Sequence, residues 1–421
     1  MKLKRKISIL LSFIFIINLF IGSTVLATEP NVSAEAIYSV EVSTGKVLFE
    51  KNAHEKKFPA STTKVMTALL VLENCELTDK ATASYNAISI IPNGYSTAHI
   101  QVGETLTIED LLYALMLPSA NEAANILAEH VAGSISSFAT MMNTRAEELG
   151  CENTHFVNPN GIHNDDHYST AYDLYLIANE AMKNPEFRKI VSTPTYTLPS
   201  TDKYADNDRV CKSTNQLIHV NNSNRSDNYY YKYCIGIKTG FTTQAQNCLI
   251  SQASKDGLEI LNVVLGAGTT EDNLSIRFLD SIELFEYAYN NYVMTTIKEQ
   301  NDVIKTIEVK NGTKKTKNLD LLSKDNLTVF HNVDIDVKTL EPEITLKENF
   351  KAPIKQGDIV GTALYKVDDL EYKTELVAGH DVEKSNVVSI CLITSGICVL
   401  FFAVIIMPKK KGRKNKKIKR R

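Results

Sequence analysis

Apolar and polar positions recur at regular spacings through most of the chain, and they predict a series of strands and helices. Two apolar-rich runs within residues 36–50 flank Ser-Thr-Gly-Lys, which predicts a β-hairpin. Helical spacing predicts helices after Pro59, over Ile108–Leu117 and, beyond a break at Pro118, over Glu122–Val131. Further helices are predicted at Ser136–Leu149, Ser169–Met182 and Asn273–Asn291, and strands at Cys234–Phe241, Asn247–Ala253 and Ile260–Gly266. This mixture predicts an α+β domain of helices packed on an antiparallel sheet.

From about Tyr292 the pattern changes to short alternating segments such as Val303–Val309, separated by turns rich in Gly or Asn. Such segments predict a small all-β domain. It holds no cluster of residues suited to chemistry, so we interpret it as a spacer or an interaction module. The expected organisation is an α+β domain over residues 28–291 and an all-β domain over residues 292–385.

The amino terminus has the features of an export signal. Four basic residues precede the apolar run Ile7–Ile21, which is followed by Val25-Leu26-Ala27 as a cleavage site. We therefore expect residues 1–27 to be a signal peptide and the mature chain to begin near Thr28. A retained amino-terminal anchor is the alternative, and both imply export.

The carboxyl terminus predicts a membrane anchor. Val387–Met407 contains no charged residue and is long enough to cross a bilayer as a helix. The basic residues of the tail, 408–421, should remain cytoplasmic by the positive-inside rule, so residues 28–385 should face the cell-wall side of a single-pass membrane protein. A buried core helix is the alternative interpretation of Val387–Met407.

Composition adds two constraints. A net charge of -3 over 421 residues, with the basic excess at the two ends, does not suggest a nucleic-acid partner. Five of the seven cysteines lie outside the predicted span, and an odd number cannot form a complete disulfide framework. Cys234 and Cys248 lie on adjacent predicted strands and could pair, while buried free thiols are the alternative.

The first candidate for chemistry is Ser61-Thr62-Thr63-Lys64, directly after Pro59-Ala60 and at the start of a predicted helix. Residues i and i+3 share a helix face, so Ser61 and Lys64 can touch. A lysine whose pKa is lowered by burial could take the serine proton. Ser43–Lys46 fits the same four-letter pattern, but it lies on a hairpin turn, so its context favours Ser61.

Two further motifs complete the candidate site. Ser119-Ala120-Asn121 lies on a short connection between predicted helices, where a hydroxyl and an amide could face a cleft; a helix-cap or turn role is the alternative. Ser213–Asn215 and Ser226–Asn228 also fit Ser-x-Asn and are interpreted as chance matches. Lys238-Thr239-Gly240 ends a predicted strand. Its cation and hydroxyl could hold a carboxylate, and Gly240 would let a substrate backbone approach the strand.

Metal chemistry is disfavoured by the sequence. His163 and His167 lie four apart with Asp165 and Asp166 between them, but a structural metal site normally needs four ligands in a suitable spacing. We interpret this polar loop as hydrogen-bonding rather than metal-binding. No Gly-x-Gly-x-x-Gly or Walker-type phosphate loop is present in the sequence.

In this order, Ser-x-x-Lys, Ser-x-Asn and Lys-Thr-Gly form the signature of penicillin-binding proteins and class A β-lactamases. The chain resembles the low-molecular-mass penicillin-binding proteins, the serine-type D-alanyl-D-alanine carboxypeptidases, from about Ala36 to the end of the β-rich domain. It departs from them at Ala120 and Gln246, where glycine is usual. Other matching stretches are Phe58–Ser61, Leu115–Ala124, Asn158–Gly161, His167–Ala171 and Gly236–Gly240.

This resemblance implies a transpeptidase-like catalytic domain, with Ser61 attacking the carbonyl between the two terminal D-alanines of a peptidoglycan stem peptide. It implies that neutral Lys64 accepts the serine proton and that Ser119, in contact with Lys64 and Lys238, relays a proton to the departing D-alanine. Asn121 would orient Lys64 and hold the substrate backbone.

The resemblance also implies how the substrate is bound. Lys238 and Thr239 would bind the terminal carboxylate, next to Gly240, and the backbone N–H groups of Ser61 and Phe241 would form the oxyanion hole. Water would then hydrolyse the acyl-enzyme. No cofactor is expected, and β-lactam inhibitors should acylate Ser61.

Three alternatives remain open. A class A β-lactamase shares the motifs, but Cys151–Asp173 lacks a Glu-x-x-Leu-Asn deacylation motif. A transpeptidase would pass the acyl group to an amine instead of water. A non-catalytic peptidoglycan-binding or β-lactam-sensing receptor would keep the serine and lysine, although it would normally have a cytoplasmic domain larger than a basic tail.

Overall fold

The structure, a computed structural model, describes residues 29–206, 208–219 and 229–385. The predicted signal peptide, the membrane segment Val387–Met407, the basic tail and Ser226–Asn228 lie outside these residues. Among the residues that are described, no helix combines the length and apolar character needed to span a bilayer. The chain divides into two compact units, the first ending at Val293 and the second beginning at Met294.

The first unit is built on a five-stranded sheet in the order β2-β1-β9-β8-β7, with every neighbouring pair antiparallel. Its strands are β1 Ala36–Glu41, β2 Val47–Lys51, β7 Cys234–Thr242, β8 Gln246–Lys255 and β9 Leu258–Ala267. The amino-terminal hairpin joins the carboxyl-terminal meander through β1 and β9, where Ile37 pairs with Val264. The shorter strand pairs are β3 Lys80–Thr82 with β4 Thr105–Thr107, and β5 Thr195–Thr197 with β6 Val210–Lys212.

Both faces of the central sheet are covered, which explains why every residue of β1 is buried. Ile37 and Val264 pack with Leu284 of the long carboxyl-terminal helix on one face. Tyr38 and Val40 point the other way, into the main core shared with the helical layer. The helices are α1 Lys64–Asn74, α2 Tyr85–Ser89, α3 Ile108–Met116, α4 Asn121–Ala132, α5 Ile135–Glu148, α6 Ala171–Ala181, α7 Pro185–Ser192 and α8 Ile276–Asn291.

Side-chain caps fix the starts of several helices. Thr107 forms a capping box with Asp110 at the start of α3, and Thr170 accepts a hydrogen bond from the backbone N–H of Asp173 at the start of α6. Pro118 comes two residues after Met116, the last residue of α3, where a helix-breaking residue can lie. The next helix begins at Asn121, so Ser119 and Ala120 lie on the short connection that the sequence predicts.

The second unit is all β. Its main sheet has the antiparallel order β11-β12-β16-β15-β14, and a separate pair joins β10 and β13. Buried side chains such as Leu321, Tyr365 and Leu376 form its own core. The strands are β10 Tyr292–Lys298, β11 Val303–Glu308, β12 Asn318–Ser323, β13 Leu327–Asn332, β14 Glu343–Leu346, β15 Ile359–Val367 and β16 Leu370–Ala378.

The predicted α+β fold followed by an all-β domain is confirmed. The suggested Cys234–Cys248 pairing is wrong, because the β7–β8 register places Cys234 opposite Ala253 and Cys248 opposite Gly240. Both cysteines are free thiols. Gln246 stands where the similar proteins usually have glycine, and its φ is +54°, a conformation that favours glycine.

Candidate active site

An open cleft of about 520 Å³ lies between the end of β7 and the helical layer. It brings together residues from all three sequence motifs, although these are far apart in the chain. The lining includes Ser61, Ser119, Asn121, Thr239, Gly240 and Phe241. Lys64 and Lys238 do not line the cleft, because both side chains are fully buried beneath its surface.

Ser61 lies on a short 3-10 turn, Ala60–Thr63, which leads directly into α1 at Lys64. The Thr62 hydroxyl donates a hydrogen bond to the carbonyl of Pro59 at 2.6 Å and closes this turn. Ser61 is therefore on a tighter turn than the first turn of an α-helix. The expected proximity of residues i and i+3 is nevertheless observed, since Lys64 Nζ is 3.0 Å from Ser61 Oγ.

Two glycines allow other segments to press against the Ser61 turn. A Cβ atom at Gly161 would lie 1.9 Å from the carbonyl oxygen of Ala60, and one at Gly240 would lie 2.9 Å from the carbonyl oxygen of Pro59. Separations this short between a Cβ and backbone oxygen are not tolerated. The sequence analysis assigned Gly240 to the approach of a substrate. The structure shows that the protein's own Pro59–Ser61 segment also approaches Gly240, which lines the cleft as well.

The amino group of Lys64 is enclosed by oxygen atoms. Nζ is 2.5 Å from the carbonyl of Asn160 and 2.9 Å from Oδ1 of Asn121, in addition to its contact with Ser61. Burial lowers the pKa of Lys64 well below 10.5, and the charge of Lys238 lowers it further, against an opposing effect of Glu122. The surroundings therefore favour the neutral amine.

The hydrogen-bond geometry gives that neutral amine a defined orientation. A neutral amine has two N–H donors and one lone pair, and carbonyl oxygens can only accept. The oxygens of Asn160 and Asn121 therefore take the two N–H groups, which leaves the lone pair of Lys64 for the hydroxyl proton of Ser61. This arrangement is that of a general base poised next to its nucleophile.

Asn121 is itself held by the loop across the cleft. Its Nδ2 donates to the carbonyl of Ser96 at 2.9 Å, which directs Oδ1 towards Lys64. The buried carboxylate of Glu122 fixes the same loop, because its Oε1 accepts hydrogen bonds from the Thr97 hydroxyl and the Ala98 N–H. The sequence analysis assigned no role to Glu122, which carries no motif signal of its own.

Ser119 lines the cleft, and its φ of +67° lies in the left-handed region, which is uncommon for a residue other than glycine. Its buried hydroxyl makes no hydrogen bond to any residue that the structure describes. The expected contact of Ser119 with Lys64 and Lys238 is therefore not formed as a hydrogen bond. The amino group of Lys64 is already engaged by three oxygens, and Lys238 Nζ donates to the carbonyl of Thr239.

The buried Lys238 and the half-buried Arg277 place two cations at the cleft. Burial, and to a smaller extent the charge of Arg277, lowers the pKa of Lys238 to about 7. Arg277 Nη1 donates to the carbonyl of Gly240 at 3.0 Å, and its Nε has no partner within the described chain. Buried cations are normally paired, so a bound carboxylate would supply the missing negative charge.

Arg277 and Thr214 are cleft residues that the sequence analysis missed. Arg277 comes from α8, almost forty residues beyond the last motif. Ser213–Asn215 stays interpreted as a chance match to Ser-x-Asn, but its middle residue, Thr214, lines the cleft with its Oγ1 2.5 Å from Oγ1 of Thr239. No sequence pattern points to either Arg277 or Thr214 as a cleft residue, so only the tertiary fold reveals them.

The side chains of His163 and His167 both contact other residues of the protein. His167 Nδ1 accepts a hydrogen bond from the Val157 N–H, so the proton lies on Nε2, which bonds to the Thr63 hydroxyl at 2.8 Å. Burial lowers the pKa of His167 to about 3 and keeps the ring neutral. His163 packs edge-on against Phe58 and lies 3.3 Å from Asp165. His167 thus supports the turn that carries Ser61.

Comparisons with known proteins agree with this geometry. Residues 23–269 match the family described as D-alanyl-D-alanine carboxypeptidase, and residues 292–384 match the carboxyl-terminal domain of penicillin-binding protein 5. D-alanyl-D-alanine carboxypeptidase DacF of Bacillus subtilis is 31% identical over 370 residues, covering 86% of this chain and 89% of that protein.

Two solved structures are similar as well. The DD-transpeptidase of Streptomyces K15 is 36% identical with a TM-score of 0.55, covering 62% of this chain and 99% of its own. A structure from Streptococcus pneumoniae, titled as a peptidoglycan synthesis regulatory factor (PBP3), is 25% identical with a TM-score of 0.66 and covers 84% of this chain and 100% of its own.

The close approach at Gly161 predicts a large effect of adding one methyl group. Gly161→Ala should lower the free energy of unfolding by about 3 kcal/mol or more, because the new Cβ collides with Ala60. Gly257→Ala is the matched control, since Gly257 has a similar φ of +82° but nothing within 4 Å. That change should cost only about 1–2 kcal/mol. Equal shifts in urea-unfolding midpoint, followed by circular dichroism, would contradict the steric explanation.

Proposed function

The chain belongs to the D-alanyl-D-alanine carboxypeptidase family of serine peptidases, and we propose that Ser61 is the nucleophile with which it releases the terminal D-alanine of peptidoglycan stem peptides. The observation that carries this proposal is the orientation of Lys64. Two carbonyl oxygens occupy its N–H groups, so its lone pair faces the hydroxyl of Ser61. The chain is an enzyme, a serine-type D-alanyl-D-alanine carboxypeptidase.

Acylation begins when Lys64 takes the proton of Ser61 as Ser61 Oγ attacks the carbonyl between the two D-alanines. The oxygen of that carbonyl becomes an oxyanion, and the backbone N–H groups of Ser61 and Phe241 are its proposed donors. Gly240 supports this assignment because it lets β7 lie directly against the Ser61 turn, so the two N–H groups lie at one end of the cleft. Donors of this kind typically contribute about a hundred- to a thousandfold in rate.

Lys238, Thr239 and Arg277 are the proposed binding site for the terminal carboxylate. The two cations have no carboxylate partner within the part of the chain that is described. Lys238 directly precedes Thr239 on β7, and Arg277 donates to the carbonyl of Gly240, which directly follows Thr239. A bound carboxylate favours the charged form of Lys238, so substrate binding should raise the pKa of this residue from about 7. Binding of the carboxylate also fixes which peptide bond faces Ser61.

Departure of D-alanine requires a proton on its amine, and Ser119 is the proposed relay. Its hydroxyl lines the cleft and is free of competing hydrogen bonds to described residues. Water then hydrolyses the acyl-enzyme and restores Ser61. β-Lactams carry the same amide and carboxylate arrangement as the terminal dipeptide, so the same steps would acylate Ser61 and leave it blocked.

A transpeptidase is the second candidate, because the similar Streptomyces K15 structure is named a DD-transpeptidase. The two reactions share the acyl-enzyme and differ only in whether water or an amine receives the acyl group. Product analysis with and without an added acceptor amine distinguishes them. Residues 28–291 would carry either reaction, with residues 292–385 as a spacer from the membrane.

Membrane attachment is a further part of this proposal. The uncharged segment Val387–Met407 and the basic tail that follows it support a single span with the catalytic domain on the cell-wall side. The segment 1–27 supports export as a signal peptide. A cell-wall substrate requires this location.

Replacing the nucleophile should abolish turnover. Ser61→Ala should reduce release of D-alanine from a peptide ending in Lys-D-Ala-D-Ala by a factor on the order of 10³ or more, and it should abolish covalent labelling by penicillin. Ser43→Ala is the control, because Ser43 belongs to the same four-letter pattern but its hydroxyl donates to Glu41 at 2.8 Å in the hairpin turn. Loss of activity in Ser43→Ala with an active Ser61→Ala enzyme would overturn the assignment.

Truncation should release the enzyme from the membrane. A chain ending at Ser385 should move from the membrane fraction to the soluble exported fraction and keep penicillin labelling, since the residues of both compact units up to Ser385 are retained. A chain ending at Met407 keeps the apolar segment and should stay with the membrane. If the chain ending at Ser385 sedimented with the membrane as the full chain does, Val387–Met407 would not be the anchor.

A further inference from the structure

A second cavity adjoins the active-site cleft. Its volume is about 410 Å³. We refer to it as the side cavity, and its lining includes Lys56, Lys57, Phe58, Asp165, Tyr168 and Gln244. None of these residues belongs to the three catalytic motifs.

Two chain segments connect the side cavity to the cleft. Gly161 and Ile162 line the cleft, and Asp165 of the same loop lines the side cavity. On the opposite wall, residues 241–243 line the cleft, Gln244 lines both, and residues 245–246 line the side cavity. A ligand that leaves the cleft between these two segments therefore enters the side cavity.

The direction of the substrate follows from the proposed carboxylate site. If the terminal carboxylate lies at Thr239 and Arg277 and the reacting carbonyl lies at Ser61, the rest of the peptide has to continue past Phe241. The turn after Phe241 leads to Gln244, at the boundary of the two cavities. The residues that precede the D-alanyl pair are therefore directed into the side cavity.

The charged side chains that line the side cavity differ in whether they have an ion-pair partner. Lys57 is paired with Glu35 at 2.8 Å and with Glu55 at 3.6 Å. Lys56 instead lies over the ring of Tyr168, with Nζ 4.1 Å from the ring centroid, and no carboxylate of the described residues is within ion-pair distance of it. The side chain of Asp165 is 95% exposed, and among the described residues its one ion-pair contact is with His163, at 3.3 Å. One cation and one carboxylate thus face the cavity without a strong partner.

We propose that the side cavity is a binding subsite for the charged residues of the stem peptide that precede the D-alanyl pair, with Lys56 facing a substrate carboxylate and Asp165 facing the ammonium of a diamino acid. This inference rests on the proposed function. In this proposal the side cavity selects between stem peptides, and the reaction itself takes place in the cleft. A zwitterionic peptide fits these two groups better than an uncharged one does.

The experiment compares two peptides with the full-length chain in detergent. One peptide is γ-D-glutamyl-L-lysyl-D-alanyl-D-alanine with a free glutamyl carboxylate, and the other carries that carboxylate as its amide. Lys56→Gln should raise KM for the first peptide about threefold to fivefold, the range of a partly exposed ion pair. It should leave KM for the amide, kcat for both and penicillin labelling of Ser61 unchanged.

Lys232→Gln is the matched control for Lys56→Gln. Lys232 is also an exposed lysine over a tyrosine ring, 4.7 Å from the centroid of Tyr233, but it does not line the side cavity. This variant should behave as the unmodified enzyme with both peptides. Asp165→Asn tests the other charge, and it should raise KM for the free lysyl side chain but not for its acetylated form.

Each result has a distinct meaning. A selective change in KM that follows the substrate charge supports the subsite. Equal KM changes for the charged and uncharged peptides, or no change in either, would overturn it while leaving D-alanine release intact. Failure of the unmodified enzyme to release D-alanine from both peptides would instead overturn the proposed function.

Discussion

The amino group of Lys64 is buried, no carboxylate of the described residues contacts it, and the active site depends on this constraint. Three oxygens surround it, from Ser61, Asn121 and Asn160. Because a charged ammonium is costly to bury with only neutral partners, its environment selects the amine. The same three contacts tie together the turn after Pro59, the start of α4 and the loop that contains Gly161.

Close backbone packing holds those three segments together. Gly161 and Gly240 let two different segments lie against the Ser61 turn from separate parts of the chain, with no side chain between them. His167 supports the turn from below through Thr63, and Glu122 holds the loop whose Ser96 carbonyl orients Asn121. The position of Ser61 thus results from close backbone packing and hydrogen bonding around one buried amine.

The positive charges beside the cleft influence one another's protonation. Burial lowers the pKa of both Lys64 and Lys238, and the charge of a neighbour lowers each further: Lys238 acts on Lys64, and Arg277 acts on Lys238. These neighbours therefore disfavour all being charged together. A bound substrate carboxylate would favour the charged forms of Lys238 and Arg277. Lys64 stays enclosed by its carbonyl oxygens. Carboxylate recognition and proton acceptance can therefore occur on neighbouring lysines without one residue performing both tasks.

The sequence was sufficient for the features that depend on local spacing. The hairpin around Ser43, the helix that follows Ser61 and the meander that contains Lys238 were all predicted from apolar periodicity and turn residues. The pairing of β1 with β9 was not predicted, because it joins segments more than two hundred residues apart. For the same reason Arg277 and Thr214 were missed, and Gly240 was assigned to the substrate although its neighbour is Pro59.

The central claim is that Lys64 is neutral in the resting enzyme, and an NMR titration of its side chain tests this most directly. Lysines labelled with ¹³C at the ε-carbon can be followed against pH, with the Lys64 signal assigned by its loss in Lys64→Arg. The lowered pKa predicts that this signal titrates well below 10.5. A Lys64 signal that titrates near 10.5, with the exposed lysines, would contradict the account.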